Sequence, residues 1–201
     1  MNYFDYFQII TLLIFLSIFL GRSLSLARKG TQVFRLGSGK QGLGALLEKS
    51  FLIFFPLWLF EIFVHSLHLD HLQFLPFALV DPLYSHALLQ SAGAVIILLS
   101  LLVFALALIS FKTSWRVGID TVAPGGLITT GMFSISRNPI FLSMDLYFLG
   151  TFLIYSNLFF LVCLIGMVCG FHVQIKHEET FLAVAYDRSY LEYRMQVRRY
   201  I

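Results

Sequence analysis

Arg137-Asn138-Pro139 opens one apolar stretch of the chain, and Glu178-Glu179 closes the next. If those stretches are antiparallel helices, an arginine and two adjacent carboxylates meet at one end of a hairpin that is otherwise greasy. Ionisable groups at a membrane boundary are costly unless they serve something polar. Pro139 suits the first position of a helix, where its missing N–H costs nothing. The free N–H groups of that first turn then stand beside Arg137 and Asn138, a setting that favours a carboxylate or another anion. Taken alone, Arg137 also reads as an arginine snorkelling to the interface. The paired carboxylates want a cation or several donors. Together these residues point to a site for a small charged molecule, with chemistry done next to lipid.

The tail extends the pattern. Glu179, Leu182, Tyr186, Tyr190, Tyr193 and Val197 fall within about 60° of one line at 100° per residue. Arg188 lies on the other side. The stripe alone describes an interfacial helix with tyrosines at headgroup level, but it leaves Glu178-Glu179 unexplained. Gly131 allows close backbone approach or a positive φ. Asp145 sits inside the apolar stretch after Pro139. An intramembrane aspartate faces protein or water, so it lines the site or caps a neighbouring helix.

The elements that must position these residues follow from composition. The 201 residues are 58% hydrophobic and 12% charged, where soluble domains carry about 25% charge. That places the chain in the membrane class. Five apolar segments stand out, roughly 4–20, 46–64, 87–111, 140–155 and 158–175. The last two meet at Tyr155-Ser156-Asn157 and read as a tight helical hairpin. All 14 Lys and Arg residues fall in the connections after the first and third segments, at their edges, or in the tail; the His65–His86 connection has none. By the positive-inside rule the N-terminus is outside and the C-terminus, with the site, is cytoplasmic. The first apolar segment has Asp5 before it and its positive charges after it, the wrong polarity for a secretory signal, so it reads as a retained span.

The remaining features carry less. The glycine-rich stretch Gly37–Gly42 reads as a surface loop, without Walker spacing. His65, His68, His71 and His86 read as interfacial histidines of the outer loop, their spacing matching no strong zinc pattern. Cys163 and Cys169 read as small buried hydrophobes. No metal is expected.

Two motifs carry a family resemblance. Leu127 to Leu142, with Gly131, Phe133, Arg137, Asn138 and Pro139, resembles the L-x-x-x-G-P-Y-x-x-x-R-H-P-x-Y-x segment of the isoprenylcysteine carboxyl methyltransferase family. Glu178 to Arg199 resembles its tail, E-E-x-x-L-x-x-x-F-G-x-x-Y-x-x-Y-x-x-x-V-P-R. Ser114-Trp115-Arg116-Val117-Gly118 resembles a stretch upstream in bacterial members. The resemblance covers about the C-terminal 90 residues. Asn138 stands where the family has His, Met132 and Arg198 where it has Pro, Phe133 and Phe141 where it has Tyr, and Asp187 where it has Gly. Asn donates a hydrogen bond but carries no proton at neutral pH.

The resemblance implies an all-α integral membrane methyltransferase using S-adenosylmethionine. It would have about five transmembrane helices, with a C-terminal cytoplasmic amphipathic helix capping a cofactor pocket. Residues 1–110 would hold spans one to three, and 111–201 the methyltransferase core, with a hairpin at 139–175 and a tail helix at 178–199. Cofactor contacts would come from Gly131, Phe133, Arg137, Asn138, Pro139, Leu142, Glu178, Glu179 and Tyr190, and catalytic roles from Arg137, Glu179 and Arg199. Arg199 would orient a substrate carboxylate, and a Glu would accept from the cofactor's ammonium or ribose. The acceptor is a prenylated cysteine carboxylate or similar lipid, or alternatively a phospholipid amine or small thiol; no nucleic acid partner is implied. The bacterial-type stretch suggests a prokaryotic inner membrane. A non-catalytic membrane protein, such as a small transporter using Asp145 and Glu61, is the alternative from another class.

Overall fold

A computed structural model describes residues 1–28, 43–111 and 126–201, with the side chains of 43–49 and Leu52 outside that description. Gly37–Gly42, the Ser114–Gly118 stretch and Pro124-Gly125 lie outside the described residues. Elsewhere the apolar segments are helices: α1 (Tyr3–Arg28), α2 (Leu43–Leu67), a short α3 (Phe77–Val80), α4 (Ala87–Phe111), α5 (Pro139–Tyr155) and α6 (Leu158–Gln196). Single 3-10 turns sit at Asp70–Leu72 and Gly131–Ser134. No strand occurs among the described residues. Three helices, α1, α4 and α6, are long and apolar enough to cross a bilayer, while Ile53–Leu67 of α2 and α5 are shorter apolar helices. The 17 residues of α5 rise about 26 Å, a little under a hydrocarbon core of about 30 Å. This is an all-α membrane protein.

The helices hold together as membrane helices do, by small residues, aromatics and internal hydrogen bonds. A methyl group on Gly93 would stand 2.7 Å from the Gly150 carbonyl, and one on Gly150 2.5 Å from Ile97 Cγ1. The backbones of α4 and α5 therefore touch, and any side chain at either glycine would push them apart. Ser100 Oγ donates to the Ser143 carbonyl at 2.7 Å across the same seam. Gln8 Nε2 donates to Thr151 Oγ1 at 3.0 Å, tying α1 to α5. Trp58 of α2 stacks on Phe148 at 4.2 Å, and Phe15 of α1 on Phe104 of α4 at 4.7 Å. Exposed Leu98, Leu102, Ile109, Val162 and Ile165 give α4 and α6 apolar outer faces suited to lipid.

The hairpin turn is built from its residue types. Ser156 ends α5 in the left-handed region at φ 44°, and its N–H donates to the Phe152 carbonyl at 2.6 Å. Asn157 caps α6 by accepting from the Phe160 N–H at 2.9 Å, while its Nδ2 donates to the Val80 carbonyl at 3.2 Å. The outer loop is thereby pinned to the hairpin. His65 lies within this packing, in the last turn of α2, with Nδ1 3.0 Å from the Glu61 carbonyl oxygen. His68 contacts Asp5 Oδ2 at 2.9 Å.

One boundary differs from the sequence reading. The tail does not begin as a separate helix at 178: α6, Leu158–Gln196, 39 residues, carries on through Glu178-Glu179 and is interrupted only at Asp187, where a non-helical residue (φ 44°, ψ −122°) kinks it. No Pro or Gly lies between Ile175 and Glu179 to stop it, so the span continues out of the membrane as the tail.

Candidate active site

The site forms where the start of α5, the middle of α6 and the last residues of the chain converge. Pro139 occupies the first turn of α5, as the sequence requires, and no side chain caps that terminus. Asn138 uses its amide elsewhere: Nδ2 donates to the Arg199 carbonyl at 3.1 Å. Ser136 Oγ donates to the same carbonyl at 3.3 Å, and the Arg137 N–H donates to the Arg198 carbonyl at 3.0 Å. The three residues before α5 thus strap the C-terminal backbone into place. Asn at 138 suits this role, because it needs only a donor.

Glu179 is the hub. Arg137 Nη2 lies 2.9 Å from its Oε1, and Arg199 approaches side-on, with Nε 3.1 Å from Oε1 and Nη2 2.8 Å from Oε2. Both Arg137 and Glu179 side chains are 8% exposed. Burial pushes the Glu179 carboxyl up, but the Arg199 hydrogen bonds and the Arg137 and Arg199 charges outweigh it, holding the carboxyl below its ordinary range. The same bonds raise the Arg199 guanidinium. Both carboxylate oxygens are engaged, so Glu179 fixes two guanidiniums rather than standing open.

Arg137 is only half used. Its Nε and Nη1 are buried and make no hydrogen bond. Buried donors without partners are rare in native proteins and mark a missing ligand or water. They sit beside the uncapped N-terminus of α5, where further N–H groups and the helix dipole favour an anion. Tyr190 Oη is also buried and unpartnered; burial and then the Glu179 charge raise its pKa. These donors suit a carboxylate, which is one end of S-adenosylmethionine.

The other expected site residues are placed as follows. Gly131 has φ 64°, and a methyl there would collide with Ser110 Oγ, so both properties foreseen for it are used. Phe133 is buried edge-on against Phe111 at 4.8 Å, and its carbonyl accepts from Tyr193 Oη at 2.6 Å. Burial pushes the Tyr193 hydroxyl up to about 12, so it donates throughout the neutral range. Leu142 is half-buried in the first turns of α5. Glu178 points along α6, accepting from Gln174 Nε2 at 3.1 Å. Sequence reasoning missed Ser136, Tyr193 as a strut under Phe133, and Tyr200, whose hydroxyl lies 3.3 Å from His172 Nδ1. Ser136 lies just before Arg137, the only signal it gave.

A nearby cleft lined by Phe15, Phe55, Trp58, Met144, Tyr147 and Phe148 belongs to the aromatic core and does not suit a zwitterion. Among the described residues no group of three or more His, Cys, Asp or Glu side chains is placed to hold a metal.

Residues 117–189 match the family model described as phospholipid methyltransferase. The match covers somewhat more than a third of the chain and takes in Arg137, Asn138, Pro139, Glu178 and Glu179, ending just before Tyr190. No curated protein matches the chain.

Proposed function

We propose that this chain, whose residues 117–189 are similar to the phospholipid methyltransferase family, is a membrane methyltransferase that transfers a methyl group from S-adenosylmethionine to a lipidic acceptor. The half-used, buried Arg137 guanidinium at the uncapped start of α5 carries this reading. Arg137 Nε and Nη1, with the first N–H groups of α5, hold the cofactor carboxylate. Glu179 keeps Arg137 aimed, and Arg199 keeps Glu179 in place. Tyr190 offers its buried hydroxyl to the same molecule, and Gly131, Phe133, Asn138, Pro139, Leu142 and Glu178 complete the surroundings. When bound, the cofactor supplies an electrophilic methyl on a sulfonium. The protein's contribution is alignment of the acceptor in line with that methyl and exclusion of water.

Of the acceptors raised by the sequence, a phospholipid amine is favoured over a prenylcysteine carboxylate. The family description names phospholipids. Arg199, the residue that would have oriented a substrate carboxylate, is committed to Glu179 by two hydrogen bonds. The site is read as cytoplasmic, since the basic residues gather at its end of the molecule, and the host membrane as a prokaryotic inner membrane. The test is transfer of labelled methyl from S-adenosylmethionine to lipids in proteoliposomes. Label in the lipid fraction, absent with Arg137→Ala, is the expected result; no label in any lipid or small acceptor would contradict it.

A further inference from the structure

The charges described above all serve the proposed cofactor end, which leaves the acceptor end without a named group. One partly buried acidic side chain has no role yet. Asp145 lies six positions beyond Pro139, about 9 Å along α5 from the cofactor-binding terminus. Its Oδ1 is buried and makes no hydrogen bond. Tyr200 reaches the same region from the tail: Asp145 acts on the Tyr200 hydroxyl electrostatically, second only to burial in raising it. Tyr200 in turn stands 3.3 Å from His172 Nδ1 on α6, its ring stacked on the imidazole at 6.5 Å between centroids. Tyr200 and His172 thus form a polar pair between α6 and the tail, and the Asp145 charge bears on it from α5. Tyr200 follows directly after Arg199, so the strap that holds Glu179 also delivers this hydroxyl.

We propose that Asp145 is the acceptor-side catalytic residue, holding the ammonium of a lipid-borne primary amine and taking its proton, with the Tyr200–His172 pair as its polar surroundings. The proposal rests on the methyltransferase reading. A carboxylate with one oxygen buried and unbonded is costly, and a cation entering from the bilayer relieves that cost; a carboxylate acceptor would be repelled. An alkyl ammonium keeps its proton to about pH 10, so the amine must lose it before it attacks. In an apolar site burial disfavours both charged partners, which eases transfer from ammonium to carboxylate. The ammonium gives its proton to Asp145. The freed lone pair forms the C–N bond as the C–S bond breaks, and the sulfur leaves as a neutral thioether. The positive charge passes from sulfonium to the methylated nitrogen, and the proton on Asp145 departs to the cytoplasm.

The experiment compares wild type and Asp145→Asn in proteoliposomes containing phosphatidylethanolamine, with parallel arms holding phosphatidylglycerol alone or soluble phosphoethanolamine. S-adenosylmethionine binding is measured on both proteins by calorimetry. The expected result is unchanged cofactor affinity and a kcat on phosphatidylethanolamine about a hundredfold lower in the variant, the scale of a lost general base. The phosphatidylglycerol arm should be silent and the soluble amine poor. Wild-type turnover by Asp145→Asn, or preference for the soluble amine, overturns the proposal. A variant that fails to bind cofactor is replaced by Tyr200→Phe: a fall in kcat at unchanged cofactor affinity supports the assignment, and unchanged kcat removes it. Wild type that binds no S-adenosylmethionine fails the parent reading instead, and the proposal with it.

Discussion

At the residue scale, the site depends on one carboxylate shared by two arginines. Removing it leaves two guanidiniums facing each other with no counter-charge. Glu179→Gln should therefore destabilise the protein by about 3 kcal/mol, the scale of breaking a buried ion pair, and should weaken cofactor binding because Arg137 loses its aim. Thermal unfolding in detergent, with and without S-adenosylmethionine, checks both. The pH dependence follows from the same group. The folded carboxyl titrates below its ordinary value of 4.5, so its contribution to stability is complete above that value and is lost as pH falls through the lowered one. Unfolding midpoints should be flat from neutral pH to about 5 and then drop, and Glu179→Gln should show a shallower drop. The sequence made Glu179, Arg137 and Arg199 legible as site residues, because charge at a membrane edge demands a reason. It did not make their mutual pairing legible. The contacts join residues 20 and 42 positions apart, and a chain pattern carries no information on which oxygen meets which nitrogen.

At the scale of elements, two backbone positions decide whether the helices reach their places. Asp187 holds φ 44° and ψ −122° inside α6, a conformation that costs a residue with a Cβ about 1–3 kcal/mol. The related motif carries glycine there. Asp187→Gly should raise stability by about 1 kcal/mol with activity kept, seen as a higher unfolding midpoint. Gly150 works in the opposite sense. Its missing Cβ lets α4 and α5 touch, so Gly150→Ala should destabilise by about 1–3 kcal/mol through overpacking. The hairpin and its turn at Ser156-Asn157 were legible, since Asn157 is a good cap and no apolar residue crosses the break. The continuity of α6 was not. The change from lipid-facing to polar residues near Ile175 looks like an element boundary, but helical hydrogen bonding does not depend on what the side chains face.

At the scale of the whole molecule, charge separates the two ends. The described outer end holds two pairs, His65 with Glu61 and His68 with Asp5, and no Lys or Arg, and the other end holds Arg137, Arg188, Arg194, Arg198 and Arg199. A reporter fused after Ile201 should be active only in the cytoplasm; periplasmic activity would invert the orientation. Composition and hydropathy made the membrane class and the helical fold legible, while the acceptor was not, because its recognition rests on Asp145 and the Tyr200–His172 pair, which lie on three elements.

The proposed function requires that the start of α5 and the spare face of Arg137 hold S-adenosylmethionine. It is tested most directly by titrating the detergent-purified protein with that molecule in a calorimeter, beside Arg137→Ala. The wild type should bind saturably and the variant about a hundredfold or more weaker, the scale of a charge-assisted hydrogen-bonded pair of about 3 kcal/mol. Folded wild-type protein that releases no heat with the cofactor, or a variant that binds it equally well, would contradict it.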